Sequence, residues 1–158
     1  MNKSAQLIQP PNTLRQKVGS GFGGIDAGAI AKAEEALAAM ADQFGQWLQD
    51  EITKLDAAWS AIQSNGWTPA TAEPLYFRAH DLKGLGGTYQ YPLVTRLAGS
   101  MCRLLDDAST RMDAPLPLLE AHVLAIKAVV RDKIQTDEHP VGRALAEELE
   151  AKVSSFRG

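Results

Sequence analysis

One histidine, His80, lies in a segment whose residue types and spacing suit phosphoryl chemistry. In the sequence PLYFRAHDLKGLGGTY, residues 74–89, Lys83 follows His80 by three positions and Gly84 follows it by four. In a helix, both would lie about one turn beyond the imidazole on the same face. A neutral imidazole is a nucleophile, and a nearby ammonium group disfavours protonation of the ring and pairs with negative oxygens. We therefore expect His80 to accept a phosphoryl group.

A helical projection of this segment is asymmetric, with its polar and small residues on the His80 side. At about 100° per residue, Lys83, Gly84 and Gly87 lie within about 60° of His80. The apolar residues gather on the opposite side, and they are Leu75, Leu82, Leu85 and Tyr89. The pattern predicts that His80 faces water.

Three glycines in this helix would cost about 2 to 3 kcal/mol relative to alanines, which indicates that they serve a purpose. Gly84 and Gly87 lie one and two turns beyond His80, so their missing side chains leave the imidazole open to an approaching surface. Gly86 lies toward the packed side of the helix, where it would allow another helix to come near.

Three larger side chains precede His80 on the same helix. Tyr76 and Phe77 flank the His80 face and are candidates for contacts with a docking partner. The alternative is that they pack against neighbouring helices at the edge of the domain. Arg78 falls near the apolar side and must extend to solvent or form an ion pair, since an unpaired buried charge is costly.

The rest of the chain has the apolar periodicity of helices from Asp26, a possible N-cap, to the C-terminus. Residues 26–64 form either one long helix or two, and Asn65-Gly66 ends this region. Thr71 or Glu73 caps the helix that carries His80, with Pro74 in its first turn, and this helix extends towards Thr88. Further apolar stripes cover residues 93–108, 119–134 and 143–156.

No segment alternates between apolar and polar residues over the length of a strand, so the fold class is all-α. We predict an antiparallel four-helix bundle with additional N- and C-terminal helices, within a helical domain spanning residues 26–158. Residues 1–25 are rich in glycine and proline and are predicted to be a flexible tail. The string GSGFGG in this tail fits a dinucleotide-binding pattern, but no strand precedes it, so the tail interpretation is favoured.

The length and composition are typical of one globular domain. The chain has 158 residues, of which 45% are hydrophobic and 22% are charged. A formal net charge of −3 argues against a nucleic-acid partner. No apolar run approaches the roughly 20 residues of a membrane span, and none resembles a signal peptide. We expect a cytoplasmic monomer without membrane contact.

The other residues that could do chemistry have ordinary interpretations. Cys102 is the single cysteine, so no intramolecular disulfide can form, and we expect it in the core. His122 and His139 are interpreted as structural or solvated. No spacing of histidine and cysteine residues resembles a metal site, so none is expected. Asp106 and Asp107 are interpreted as part of a solvated helix face.

The run A-H-D-L-K-G at residues 79–84 resembles the AHxLKG signature of histidine-containing phosphotransfer (HPt) domains. The resemblance includes a helix that ends in a Gly-Trp turn before the motif and the helices that follow it, over about residues 40–135. One position departs from the pattern, because many members have glycine where this chain has Gln90. This departure bears on the shape of the helix end and on the choice of partner.

The resemblance implies a function for each matching residue. His80 would be the phosphorylated residue, Lys83 would face the phosphate, Gly84 would give access, and Gly87 matches a small residue common at that position. The protein would act in two-component signalling, as a phosphorelay carrier between receiver domains of hybrid histidine kinases and response regulators. It would have no kinase activity and no cofactor of its own, because Mg²⁺ would belong to the receiver.

A second hypothesis is a helical adaptor that is never phosphorylated and uses the same face to bind a receiver domain or another signalling partner.

Overall fold

The computed structural model describes residues 27–158, which are predominantly α-helical. Within this range there is no β-strand, and the all-α class is confirmed. The elements are α1 (Ala27–Asn65), α2 (Pro69–Leu85), α3 (Pro92–Leu105), a short 3-10 helix (Arg111–Asp113), α4 (Leu116–Arg131) and α5 (Pro140–Arg157). The predicted tail at residues 1–25 and the predicted cap at Asp26 lie outside the described residues.

The first helix settles a question that the sequence left open. Residues 27–65 form one continuous α-helix, without a break near Gly45. The helix ends at the predicted position. Gly66 has a φ of +88°, in the left-handed region that favours glycine after a helix. Its amide donates to the carbonyl of Ile62 at 2.8 Å.

Contacts within the chain divide it into two units after Met40. The described part of the first unit is the N-terminal part of α1, in which Ile30, Leu37 and Met40 have half or more of their surface exposed. The second unit, residues 41–158, contains the remainder of α1 and the helices α2 to α5.

Aliphatic side chains, among which leucine is the most common, make up most of the core of the second unit. Within it, α2 packs against α3, α3 packs against both α4 and α5, and α4 packs against α5. Full burial of each such side chain contributes about 1.5 to 3 kcal/mol. The largest fully buried apolar residues are Leu48, Leu55, Leu75, Leu82, Leu93, Leu97, Met101, Leu104, Leu105, Leu119 and Ile126.

Cys102 is part of this core, as the sequence predicts, and is 1% exposed. Burial raises the pKa of its thiol to about 11, with a smaller contribution from the negative charge of Asp106 and an opposing one from Lys83. The thiol is therefore protonated at neutral pH and packs as a small apolar group.

Helix α2 begins earlier than the sequence analysis places it. Its N-cap is Thr68, and the expected caps Thr71 and Glu73 are wrong. The amide of Thr71 donates to the Thr68 hydroxyl oxygen at 3.2 Å, and the amide of Thr68 donates to the Thr71 hydroxyl oxygen at 3.0 Å. These two hydrogen bonds form a reciprocal capping box, which stabilises a helix start at Thr68 more than a single capping side chain would. Pro69 occupies the first turn and Pro74 lies inside the helix.

The end of α2 is a close helix contact followed by a tight turn. The helix stops at Leu85, short of the predicted Thr88. A Cβ atom at Gly86 would lie 2.5 Å from Oγ1 and 2.7 Å from the backbone nitrogen of Thr95 in α3. The glycine therefore permits the close approach that the sequence analysis expects at this position.

Gln90 completes this turn in a conformation that favours glycine. Its φ is +64°, and the amide of Tyr91 donates to the carbonyl of Gly86 at 2.8 Å. The amide of Gln90 donates to the carbonyl of Gly87 at 3.2 Å. These two bonds form a Schellman motif with Gln90 as the left-handed residue. Glycine would adopt this φ without the steric cost of a Cβ atom.

Replacing Gln90 with glycine should stabilise the protein. Because glycine adopts this φ without the steric cost of a Cβ atom, we expect Gln90→Gly to raise the unfolding free energy by about 1 kcal/mol. Urea denaturation would measure the change. The matched control is Gln63→Gly at an exposed position inside α1, which should lower the unfolding free energy by about 1 kcal/mol. Equal effects of the two substitutions would contradict this explanation.

His122 joins α4 to α3 inside the core, which confirms its structural role. It is fully buried. Its Nδ1 donates to the carbonyl of Leu118 at 2.7 Å, and its Nε2 accepts from the hydroxyl of Ser100 at 2.9 Å. Both ring nitrogens are satisfied by a neutral imidazole.

This neutral histidine should make stability depend on pH. Burial lowers the pKa of His122, and the bond to Leu118 opposes that shift. The folded pKa therefore lies below the unfolded value of about 6.5, so the unfolded chain binds the proton first as pH falls. We expect the unfolding free energy to decrease below about pH 6.5, until pH passes the folded pKa. His122→Gln should be less stable at neutral pH and show a shallower dependence. Unfolding free energies would be measured by urea titration at several pH values. Equal pH dependence in the wild type and in His122→Gln would contradict this expectation.

Candidate functional site

The candidate site is the exposed face of α2. His80 is exposed to solvent, whereas its neighbours on the other side of the helix, Ala79 and Leu82, are completely buried. Leu75 is also completely buried. The helix thus has one face fixed in the core and the imidazole on the opposite face, as the projection predicts.

Lys83 is exposed on the same helix, one turn beyond His80. Its aliphatic stem lies beside α3, since a Cβ atom at Gly99 would be 3.9 Å from both Cγ and Cδ of Lys83. Among the ion pairs of residues 27–158, none involves Lys83. Its stem is supported and its ammonium group is available to an anion.

The surface around Gly84 is open. A Cβ atom at this glycine would meet nothing within 4 Å, and the residue is exposed. Gly87 is also exposed, in the turn after α2, and a Cβ atom there would be 4.0 Å from Oγ1 of Thr95. Neither glycine is required by packing, in contrast to Gly86.

Arg78 forms an ion pair, which is one of the two arrangements that the sequence analysis expects for its charge. Its Nη1 lies 3.7 Å from Oδ2 of Asp81, one turn along the helix, and both side chains are partly exposed. An exposed pair of this kind contributes less than about 1 kcal/mol, and it leaves no charge unpaired in the interior.

The two aromatic candidates for docking have different surroundings. Tyr76 is partly buried and packs against the core cluster, and its ring centroid lies 6.0 Å from that of His80. Phe77 is 49% exposed, with its ring centroid 5.7 Å from that of Tyr76. The packing alternative therefore describes Tyr76, and contact with a partner stays a prediction for both residues.

Sequence reasoning missed Arg111, which covers the ring of Tyr76. The Cζ atom of its guanidinium lies 4.5 Å from the centroid of that ring. Its Nε donates to the carbonyl of Leu105 at 2.6 Å, at the end of α3. The two residues are 35 positions apart in the sequence, so no local pattern could have indicated the contact.

Asp106 and Asp107 are exposed, as the sequence analysis expects, but they follow the last residue of α3 and therefore do not form a helix face. Partial burial of the phenol, followed by the negative charge of Asp106, raises the pKa of Tyr76, while Arg111 acts in the opposite direction. Asp107 accepts from the amide of Ser109 at 2.8 Å.

Over residues 27–158, no group of three or more His, Cys, Asp or Glu side chains is placed to hold a metal ion. None of the helices in this range is both long and apolar enough to span a bilayer.

Comparison of the chain with protein-family models, with curated proteins and with solved structures gives no match.

Gly84 in α2 and Gly86, which follows the last residue of α2, should respond in opposite ways to replacement by alanine. Gly84→Ala adds a methyl group in open space inside a helix, so it should raise the unfolding free energy by up to about 1 kcal/mol. Gly86→Ala forces a Cβ atom into the backbone and side chain of Thr95, so it should lower the unfolding free energy by about 1 to 3 kcal/mol. Thermal or urea unfolding would measure both. A destabilising Gly84→Ala would show that Gly84 is needed for the fold and not for access.

Proposed function

We propose that this protein carries a phosphoryl group on His80 between receiver-domain aspartates in a multistep phosphorelay. The observation that carries the proposal is the exposed imidazole on a helix that buries Leu75, Ala79 and Leu82 completely on its other side, with open space over Gly84. The resemblance of residues 79–84 to the HPt signature supports it independently of the geometry.

The transfer is a displacement at phosphorus. A nitrogen of neutral His80 forms the new bond to the phosphorus of an aspartyl phosphate. The bond from phosphorus to the carboxylate oxygen breaks, and its electron pair stays with the aspartate. The remaining ring proton exchanges with water. Lys83 pairs with the phosphoryl oxygens after transfer, and return to a second aspartate reverses the same steps.

This chain contributes presentation more than catalysis. The buried face of α2 holds the imidazole in place, and the open surface at Gly84 and Gly87 admits a receiver. The receiver is expected to supply the aspartyl phosphate and Mg²⁺, so the protein itself is a carrier without kinase activity.

We also propose an arrangement for the helices of the second unit. We interpret the second unit as an antiparallel four-helix bundle formed by the C-terminal part of α1 with α2, α3 and α4, to which α5 is added. The packing of α2 against α3 and of α3 against α4 supports this arrangement. So do the short links between consecutive helices.

The experiment is phosphoryl transfer from a panel of receiver domains loaded with acetyl phosphate. The wild-type chain should acquire an acid-labile, base-stable label, as expected of a nitrogen–phosphorus bond. His80→Gln should acquire none. The matched control is His139→Asn. His139 caps α5 by accepting from the amide of Gly142 at 3.1 Å, and asparagine preserves an acceptor for that bond. This control should be labelled like the wild type.

Two results would overturn the proposal. Labelling of His80→Gln to the wild-type level would place the phosphoryl group on another residue. A wild-type chain that binds receivers, takes no label, and binds equally well as His80→Gln would indicate the adaptor instead.

A further inference from the structure

We infer that Tyr76 is a positioning residue for His80, and that Arg111 holds Tyr76 for this purpose. The inference rests on the proposed function, because it concerns the presentation of the same imidazole. It assigns a physical purpose to two contacts that the transfer reaction itself does not require.

The rings of Tyr76 and His80 lie next to each other. Tyr76 and His80 are four residues apart on α2, so their side chains are neighbours on one face of the helix. Their centroids are 6.0 Å apart, with the ring planes tilted by 57°. Among the aromatic rings of residues 27–158, that of Tyr76 is the one paired with the exposed imidazole of His80, and we expect it to restrict the rotation of that side chain.

Tyr76 is itself fixed, because Arg111 covers its ring and the ring packs against the core. The guanidinium of Arg111 lies over the ring, with Cζ 4.5 Å from the centroid. Arg111 is in turn tied to the carbonyl of Leu105 through Nε, at 2.6 Å. The body of the ring packs against the core, so Tyr76 has little freedom to move.

A fixed ring beside His80 reduces the conformational entropy that the imidazole loses when a receiver docks. An exposed side chain samples several rotamers, and a receiver must select the reactive one when it docks. A rigid ring beside His80 removes part of that cost before docking. Losing the ring should therefore slow transfer inside the docked complex by about two- to fivefold, the factor expected for one released side-chain rotor.

The test uses the full chain, labelled with ¹³C and ¹⁵N, and Tyr76→Leu. Three-bond couplings at His80 should show one dominant χ1 rotamer in the wild type and an averaged set in Tyr76→Leu. In single-turnover transfer at saturating phosphorylated receiver, Tyr76→Leu should be about two- to fivefold slower. Phosphoramidate, a small donor that reaches the ring in any rotamer, should label both chains equally. There the ring nitrogen bonds to phosphorus, and ammonia leaves with the displaced ring proton as ammonium.

Further variants separate positioning from simple loss of structure. Tyr76→Phe keeps the ring and should behave as the wild type, whereas Arg111→Gln removes the charge above the ring and should give partial averaging at His80. The matched control is Tyr89→Leu. Tyr89 is another partly buried tyrosine, and it packs against Phe44 and Trp47. Tyr89→Leu should leave the three-bond couplings at His80 unchanged.

The outcomes distinguish this inference from the proposed function. Unchanged couplings and an unchanged saturated rate in a folded Tyr76→Leu would overturn the positioning role while leaving the phosphorelay intact. Tyr76→Phe as averaged and as slow as Tyr76→Leu would also overturn it. If no receiver labels the wild type, the phosphorelay proposal fails, and the couplings alone still decide whether Tyr76 orders His80.

Discussion

The complete burial of one face of α2 is the constraint on which the rest of the site depends. Leu75, Ala79 and Leu82 have no exposed surface, so the helix cannot rotate about its axis without bringing apolar groups into water. At its end, Gly86 allows a contact with Thr95 that leaves no room for a Cβ atom. These contacts fix the rotation and the depth of the helix, and thereby fix His80 on the outside.

Small and charged residues then give the exposed face its chemical character. Gly84 has open space above it, and Lys83 carries an ammonium group that takes part in no ion pair of residues 27–158. A helix that presents one nucleophilic ring, one cation and an unobstructed surface is suited to meet another protein that brings the electrophile. The proposed division of labour follows from this, with a rigid carrier and a receiver that supplies the phosphate.

Much of this could be predicted from the sequence because it depends on helical periodicity. The position of His80 opposite Leu75 and Leu82 follows from about 100° per residue. The close approach at Gly86 was expected from its place on the packed side. The start of α2 was misplaced, because Thr68 and Thr71 stabilise it as a reciprocal pair, and a search for one capping residue does not detect such a pair.

Tertiary contacts were not predictable in the same way. Arg111 reaches Tyr76 from a separate 3-10 helix. No spacing within one element encodes this contact. The positive φ of Gln90 was also not predicted, because no local pattern in the sequence indicates it.

Phosphorylation of the His80 imidazole can be observed with a ³¹P–¹⁵N correlation spectrum of the histidine-labelled chain after incubation with a phosphorylated receiver. We expect one phosphorus resonance coupled to a ring nitrogen assigned to His80. A phosphorus signal coupled to His122 or His139, or a phosphoryl group bound through oxygen, would contradict it.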